Sequence, residues 1–152
     1  MKKTVLALLV TAMAAYALPN NELSLVLLSK AAQKKAVVLA TMQLEGDTKA
    51  KFGKLYDEYQ EALMSHRVNE LEVITDYAQN IDNMNDENSN KLITKWITEE
   101  EASMVLKKDY IAKFKKILPS ADVIRYFQIE NRIQLINELE RADLIPLAVP
   151  AK

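Results

Sequence analysis

The chain has 152 residues, a net charge of −1 and no cysteine, so disulfides, thiolate nucleophiles and thiolate metal ligands are excluded. The mild acidity argues against a general nucleic-acid-binding protein. Four prolines and two glycines are too few for the many turns of a β or α/β domain, so the composition predicts an all-α protein.

Residues 1–17 have the three-part pattern of a secretory signal peptide. Lys2 and Lys3 give a basic start, residues 4–14 are uncharged and largely apolar, and Ala15-Tyr16-Ala17 is a small-x-small cleavage signal. The apolar run is short for a bilayer span, and no stop-transfer pattern follows it. We therefore predict a periplasmic protein without a membrane span, whose mature part is a single helical domain over residues 18–152 with a net charge of about −3.

Two long helices are predicted in the first half of the mature chain. The first runs from about Asn20 to Leu44 and ends at Gly46 in a left-handed conformation. The second runs from about Thr48 to Asn80, and close packing is one explanation for Gly53 beside its apolar stripe. That stripe consists of Phe52, Leu55, Tyr56, Tyr59, Leu63, Leu71, Ile74 and Tyr77.

Residues 80–90 are polar and turn-prone, which predicts the main loop before a third helix from about Lys91 to Leu118. Thr98 and Glu101 have capping-box spacing, which predicts a break or kink at that point. The helix ends before Pro119. Its predicted buried side consists of Ile93, Trp96, Ile97, Met104, Tyr110, Ile111, Phe114, Ile117 and Leu118.

A fourth helix is predicted from about Ala121 to Arg141, with Ser120 as its cap. Its predicted inward positions are Val123, Phe127, Ile133, Ile136 and Leu139. Because no helix here buries its apolar stripe alone, the helices are expected to pack together. The predicted fold is all-α with about four helices, a long helical hairpin or bundle with a C-terminal helix-turn-helix.

No catalytic or metal motif of any strength is present in the sequence. His66 with Met64 could contact copper, but a metal site needs three or four ligands, so a surface or partly packed histidine is favoured. The loop at residues 82–87 departs from a calcium loop, because Glu87 stands where the turn needs a glycine. Without a Ser-His-Asp set or a phosphate loop, we expect a non-enzymatic protein with no cofactor.

Aromatic residues at helical spacing are the candidate partner-binding residues, although the same spacing is typical of a core stripe. An apolar concave helical surface rimmed by charge would hold an unfolded segment or a partner helix. The expected partner is a protein or a peptide, including a second copy of the chain. The candidate residues are Phe52, Tyr56, Tyr59, Trp96, Tyr110, Phe114 and Tyr126.

Three segments together resemble a family of small exported proteobacterial helical proteins. They are Phe52-Gly-Lys-Leu-Tyr-Asp-Glu-Tyr, Tyr110-Ile-Ala-Lys-Phe-Lys-Lys-Ile-Leu-Pro-Ser, and Arg125-Tyr-Phe-Gln-Ile-Glu-Asn-Arg with the later Ile145-Pro-Leu. The layout is more distantly similar to the Spy/CpxP-type periplasmic stress proteins, which implies a helical, cradle-like fold and a chaperone or a stress- or metal-sensing role. That group carries Leu-Thr-x-x-Gln motifs, and the corresponding helix starts here are Leu44-Glu-Gly-Asp-Thr48 and Leu118-Pro-Ser-Ala-Asp122, which lack the glutamine. The closest match to the motif is Ile97-Thr-Glu-Glu-Glu101, which has Glu in place of Gln.

These observations lead to three hypotheses about function. The first is an exported, non-enzymatic helical binding protein that is chaperone-like or related to envelope stress. The second is a metal-responsive periplasmic sensor or buffer that depends on His66 and nearby carboxylates. The third is a structural component of an envelope complex.

Overall fold

The computed structural model of the protein describes residues 22–142 and 145–148, and the predicted signal peptide lies outside them. Four α-helices are present in this part of the chain, which contains no β-strand. The predicted all-α fold of about four helices is thus confirmed, whereas the C-terminal helix-turn-helix and the single domain over residues 18–152 stay predictions. The helices are α1 (Glu22–Met42), α2 (Gly46–Asn80), α3 (Asp86–Phe114) and α4 (Ser120–Ala142).

The turn between α1 and α2 contains two residues with left-handed backbone. Helix α1 ends at Met42, two residues before the predicted Leu44, and the next residue, Gln43, has φ of 54°. Gly46 has φ of 55°, so the predicted left-handed conformation at this position is confirmed, although Gly46 begins α2 rather than ending α1. Close packing does not explain Gly53, because a Cβ atom built on it meets nothing within 4 Å.

Helix α3 begins five residues earlier than predicted, at Asp86 rather than Lys91. The reason is a cap: the side-chain oxygen of Asn85 accepts a hydrogen bond from the backbone N–H of Asn88 at 2.9 Å. Asp86 and Glu87 then place negative charge in the first turn, which the helix dipole favours. The preceding residues Ile81–Asn83 form a 3-10 turn.

The prediction of a break in α3 near Thr98 is wrong, because the helix continues without interruption to Phe114. Thr98 Oγ1 donates to the carbonyl oxygen of Thr94 at 2.8 Å, a bond within the helix that replaces the expected cap. The helix ends four residues before the predicted Leu118. Its last turn is tightened, and the N–H of Lys116 bonds to the carbonyl of Lys113 at 3.1 Å.

The described residues fall into two compact units. The first comprises residues 22–53, 117–142 and 145–146, and the second comprises residues 54–116 and 147–148. In the first unit, Lys34 forms an ion pair with Glu130, and the Arg125 guanidinium donates a hydrogen bond to the carbonyl oxygen of Thr41. Because these contacts progress in opposite directions along α1 and α4, the two helices pack antiparallel. Its buried apolar residues are Val38, Met42, Phe52, Leu118, Val123, Tyr126 and Phe127.

In the second unit, the part of α2 from Lys54 onward and α3 form an antiparallel hairpin. The ring of Tyr59 lies 4.8 Å from that of Tyr110 near one end, and Asp76 pairs with Lys95 at 2.6 Å toward the loop. Because the two contacts progress in opposite directions along the two helices, the helices must run antiparallel. The buried aromatic residues of this unit are Tyr56, Tyr59, Tyr110 and Phe114.

Candidate partner-binding surfaces

Six of the seven predicted partner-binding aromatics are buried, and only Trp96 is exposed. Trp96, on α3, is 55% exposed, whereas the exposed fraction of each of the six other residues is at most 8%. A buried ring contributes to packing and offers little area to a partner. The six buried residues are Phe52, Tyr56, Tyr59, Tyr110, Phe114 and Tyr126.

Within the second unit, the buried rings hold the hairpin together. Tyr59 contacts Tyr110 with ring centroids 4.8 Å apart and contacts Phe114 edge to face at 6.3 Å. The hydroxyl of Tyr110 donates to the carbonyl oxygen of Glu58 at 3.2 Å, and the ammonium of Lys113 lies 4.0 Å from the Tyr110 ring centroid. These rings form a packed seam whose polar atom is satisfied by the neighbouring helix.

Within the first unit, a second aromatic group joins α2 to α4. Phe52 packs edge to face on Tyr126 at 5.1 Å, and Tyr126 contacts Phe127 at 4.9 Å. Beside this group, Lys34 Nζ lies 2.7 Å from Glu130 Oε2, with the two side chains only 14% and 8% exposed. The inner side of α4 is therefore fixed to its neighbours by rings and by one buried ion pair.

The outer side of α4 carries an apolar patch formed by Leu135, Ile136 and Leu139, which are 63%, 61% and 70% exposed. The prediction that Ile136 and Leu139 face inward is thus wrong. Two packed helices cover only a narrow strip of each other, so an apolar stripe broader than that strip stays in contact with solvent. Sequence periodicity identifies these residues as apolar positions, but it does not predict the width of the strip of α4 that the neighbouring helix covers.

Helix α3 likewise carries an apolar stripe on the side away from its packed seam. Ile93, Ile97 and Met104 are 54%, 46% and 53% exposed, and they follow one another at intervals of four and seven residues. The prediction that these three and Trp96 belong to the buried side is therefore wrong. Tyr110 and Phe114, predicted in the same group, are buried. The single stripe predicted for α3 is in fact two stripes, one packed and one exposed.

The lone histidine lies in a small polar cluster between α2 and α3. His66 Nδ1 is 3.5 Å from Glu99 Oε2, and the same oxygen accepts a hydrogen bond from Asn69 Nδ2 at 3.1 Å. The side chains of His66 and Glu99 are partly buried, 23% and 19% exposed. Among the described residues, no group of three or more His, Cys, Asp or Glu side chains is placed to hold a metal ion.

Farther along the hairpin, Lys95 Nζ donates to Asp76 Oδ2 at 2.6 Å, and this hydrogen bond raises the pKa of the Lys95 ammonium above its usual value. Both side chains are more than 40% exposed, so solvent screens the pair. The shallow groove beside this pair is lined mainly by polar side chains, with Leu92 as its apolar contribution. Such a groove offers a weak site for a small apolar ligand.

No helix in the described ranges has both the length and the apolar character that crossing a membrane requires. No protein-family model, curated protein or solved structure matches the chain.

Proposed function

We propose that this chain is an exported, non-enzymatic helical binding protein that holds apolar segments of other proteins, in a chaperone-like or envelope-stress role. The observation that supports the proposal is the apolar patch on α4, formed by Leu135, Ile136 and Leu139. Three large aliphatic side chains grouped on one solvent-facing helix side are typical of a protein-binding surface, whereas single exposed aliphatic residues are common everywhere.

The occupant that suits this patch is an apolar segment of an unfolded protein. Toward the start of α4 the same helix side continues through Arg132 and Gln128, which are exposed and carry no negative charge. Recognition would therefore depend on apolar contact with few specific polar contacts, and such contact tolerates many sequences. The predicted signal peptide supports a periplasmic location for this activity, where unfolded chains emerge after translocation.

Suppression of aggregation tests this proposal. The full sequence is expressed in a Gram-negative host, the exported form is purified, and light scattering follows chemically unfolded malate dehydrogenase during dilution. The parent is expected to suppress scattering at a near-stoichiometric ratio. The L135S/L139S variant should need at least about tenfold more protein for the same suppression, because a loss of only about 1.4 kcal/mol of apolar burial with the client already weakens binding tenfold.

A matched control keeps this test specific to the patch. Gln134 and Asn137 are exposed on the other side of α4, so Q134S/N137S should suppress aggregation as well as the parent does. Circular dichroism should give equal helicity for all three proteins, since every changed position faces solvent. A well-folded parent that does not suppress scattering, or an L135S/L139S variant that suppresses as the parent does, would overturn the proposal.

The two alternatives from the sequence stay predictions with tests of their own. A metal-responsive sensor or buffer predicts stoichiometric zinc or copper binding that H66A weakens, and equal binding by parent and variant would exclude it. A structural envelope component predicts a mature chain that becomes ordered only with its partner, which circular dichroism of the isolated protein would test.

A further inference from the structure

The exposed side of α3 has a charge pattern that is complementary to itself when reversed. Ile97, Met104 and Ile111 recur at seven-residue intervals; the first two are exposed and Ile111 is half-buried. Glu100 and Glu101 lie between Ile97 and Met104, and Lys107 and Lys108 lie between Met104 and Ile111. The stripe therefore has an apolar residue at its centre, acid on one side of it along the helix and base on the other.

We propose that α3 pairs with α3 of a second copy of this chain, antiparallel, with Met104 at the two-fold axis. In this arrangement Ile97 meets Ile111 of the second copy, because the two lie seven residues on either side of Met104. The contact from Ile97 to Ile111 spans 15 residues, about 21 Å of helix at about 1.5 Å per residue. A two-fold interface of this kind uses the same surface patch on both copies.

The charged residues that flank the apolar stripe of α3 favour a second copy as the partner and an antiparallel direction of pairing. Successive residues on a helix differ by about 100°, so Glu100 and Lys107 flank one edge of the stripe while Glu101 and Lys108 flank the other. Two-fold symmetry brings Glu100 beside Lys107 of the second copy on one edge, and Glu101 beside Lys108 of the second copy on the other. Each pair occurs twice, which gives four opposite-charge contacts around the apolar centre.

A parallel, in-register pairing would have the opposite electrostatic result. It would place the two glutamates of one copy against the same two glutamates of the other, and lysine against lysine. Like charges at such edges disfavour association and thereby select direction and partner. Glu100, Glu101 and Lys108 are exposed and Lys107 is half-buried, so solvent reaches all four charged side chains.

Sedimentation equilibrium of the exported protein, with two charge-reversal variants, tests this proposal. The parent is expected to show a reversible monomer–dimer equilibrium. E100K/E101K makes the four positions all basic and K107E/K108E makes them all acidic, so each variant alone should dimerise at least about tenfold more weakly, a loss of about 1.4 kcal/mol. An equimolar mixture restores all four opposite-charge contacts and should dimerise within about threefold of the parent.

Several outcomes would overturn the self-pairing of α3. The first is a parent that stays monomeric up to about 1 mM, a protein concentration at which even a weak specific dimer would be populated. The second is a variant that dimerises as strongly as the parent does. The third is an equimolar mixture that fails to recover dimerisation. Circular dichroism verifies that both variants fold. The L135S/L139S variant, altered only on α4, should dimerise normally, so failure of the client-binding proposal and failure of this one are distinguishable.

Discussion

At the scale of single residues, the ion pair of Lys34 and Glu130 is the contact whose loss should cost most among the polar groups. The Glu130 side chain is 8% exposed, and Lys34 Nζ at 2.7 Å is the positive charge beside it. Removing one member of a buried pair leaves the other charge in a poorly solvating environment, whereas removing both with apolar replacements is often nearly neutral.

We therefore expect K34A to lower the free energy of unfolding by about 3–5 kcal/mol, and K34M/E130L to recover most of that loss. Urea denaturation followed by circular dichroism measures both. The matched control is K51A, which removes the exposed pair of Lys51 and Asp47 and should cost at most about 1 kcal/mol. A K34M/E130L variant that is as unstable as K34A would contradict this interpretation of the ion pair.

Phe114 and Trp96 provide a second comparison, because both were candidate partner-binding aromatics on α3. Phe114 is fully buried and contacts Tyr59, whereas Trp96 is 55% exposed. F114A should destabilise the fold by about 3–5 kcal/mol through the cavity it leaves. W96A should change stability by about 0.5 kcal/mol or less. Thermal unfolding of the two variants checks this, and a larger loss for W96A would mean that the tryptophan packs where the structure exposes it.

At the scale of helices, the two glycines of α2 should respond in opposite directions to alanine. Gly46 has φ of 55°, which an alanine adopts only with strain, so G46A should cost about 1 kcal/mol. Gly53 lies inside the helix with open space around its Cβ position, so G53A should add about 0.5–1 kcal/mol of stability. Urea midpoints of the two variants provide the measurement, and a destabilised G53A would restore the close-packing explanation.

The helices also show what sequence alone could supply. Long apolar periodicity, few glycines and one proline joint were enough to predict four helices and most of their bounds. The start of α3 was missed because the cap at Asn85 lies inside a run of asparagines and acids in which several positions could cap equally well.

The exposed stripes could not be predicted for a different reason. Periodicity identifies apolar positions, but whether a position such as Ile97 or Leu139 is covered depends on how many neighbours pack around the helix. The predicted aromatic site shows the same limit, since Tyr59 and Trp96 are equivalent in the sequence pattern and opposite in burial. The candidate partner-binding surface predicted from the sequence consists of aromatic residues, whereas the one found in the structure consists mainly of aliphatic residues on the outer sides of α3 and α4.

At the scale of the whole molecule, the export pattern makes a separate prediction about the mature chain. Expression of the full sequence in a Gram-negative host should yield a periplasmic protein that begins at Leu18, because signal peptidase cleaves after a small-x-small motif. Intact mass spectrometry of the periplasmic fraction measures this. A chain that keeps Lys2 and Lys3, or that stays in the cytoplasm, would contradict the predicted cleavage and periplasmic location.

Site-specific photo-crosslinking tests whether the apolar patch on α4 holds apolar segments of other proteins. A photoreactive phenylalanine analogue replaces either Leu139, in the patch, or Asn137, exposed on the other side of the same helix. Each protein is irradiated with unfolded malate dehydrogenase. Strong crosslinking is expected from position 139 and little from position 137. Equal crosslinking from both positions, or none from position 139 in a well-folded protein, would contradict it.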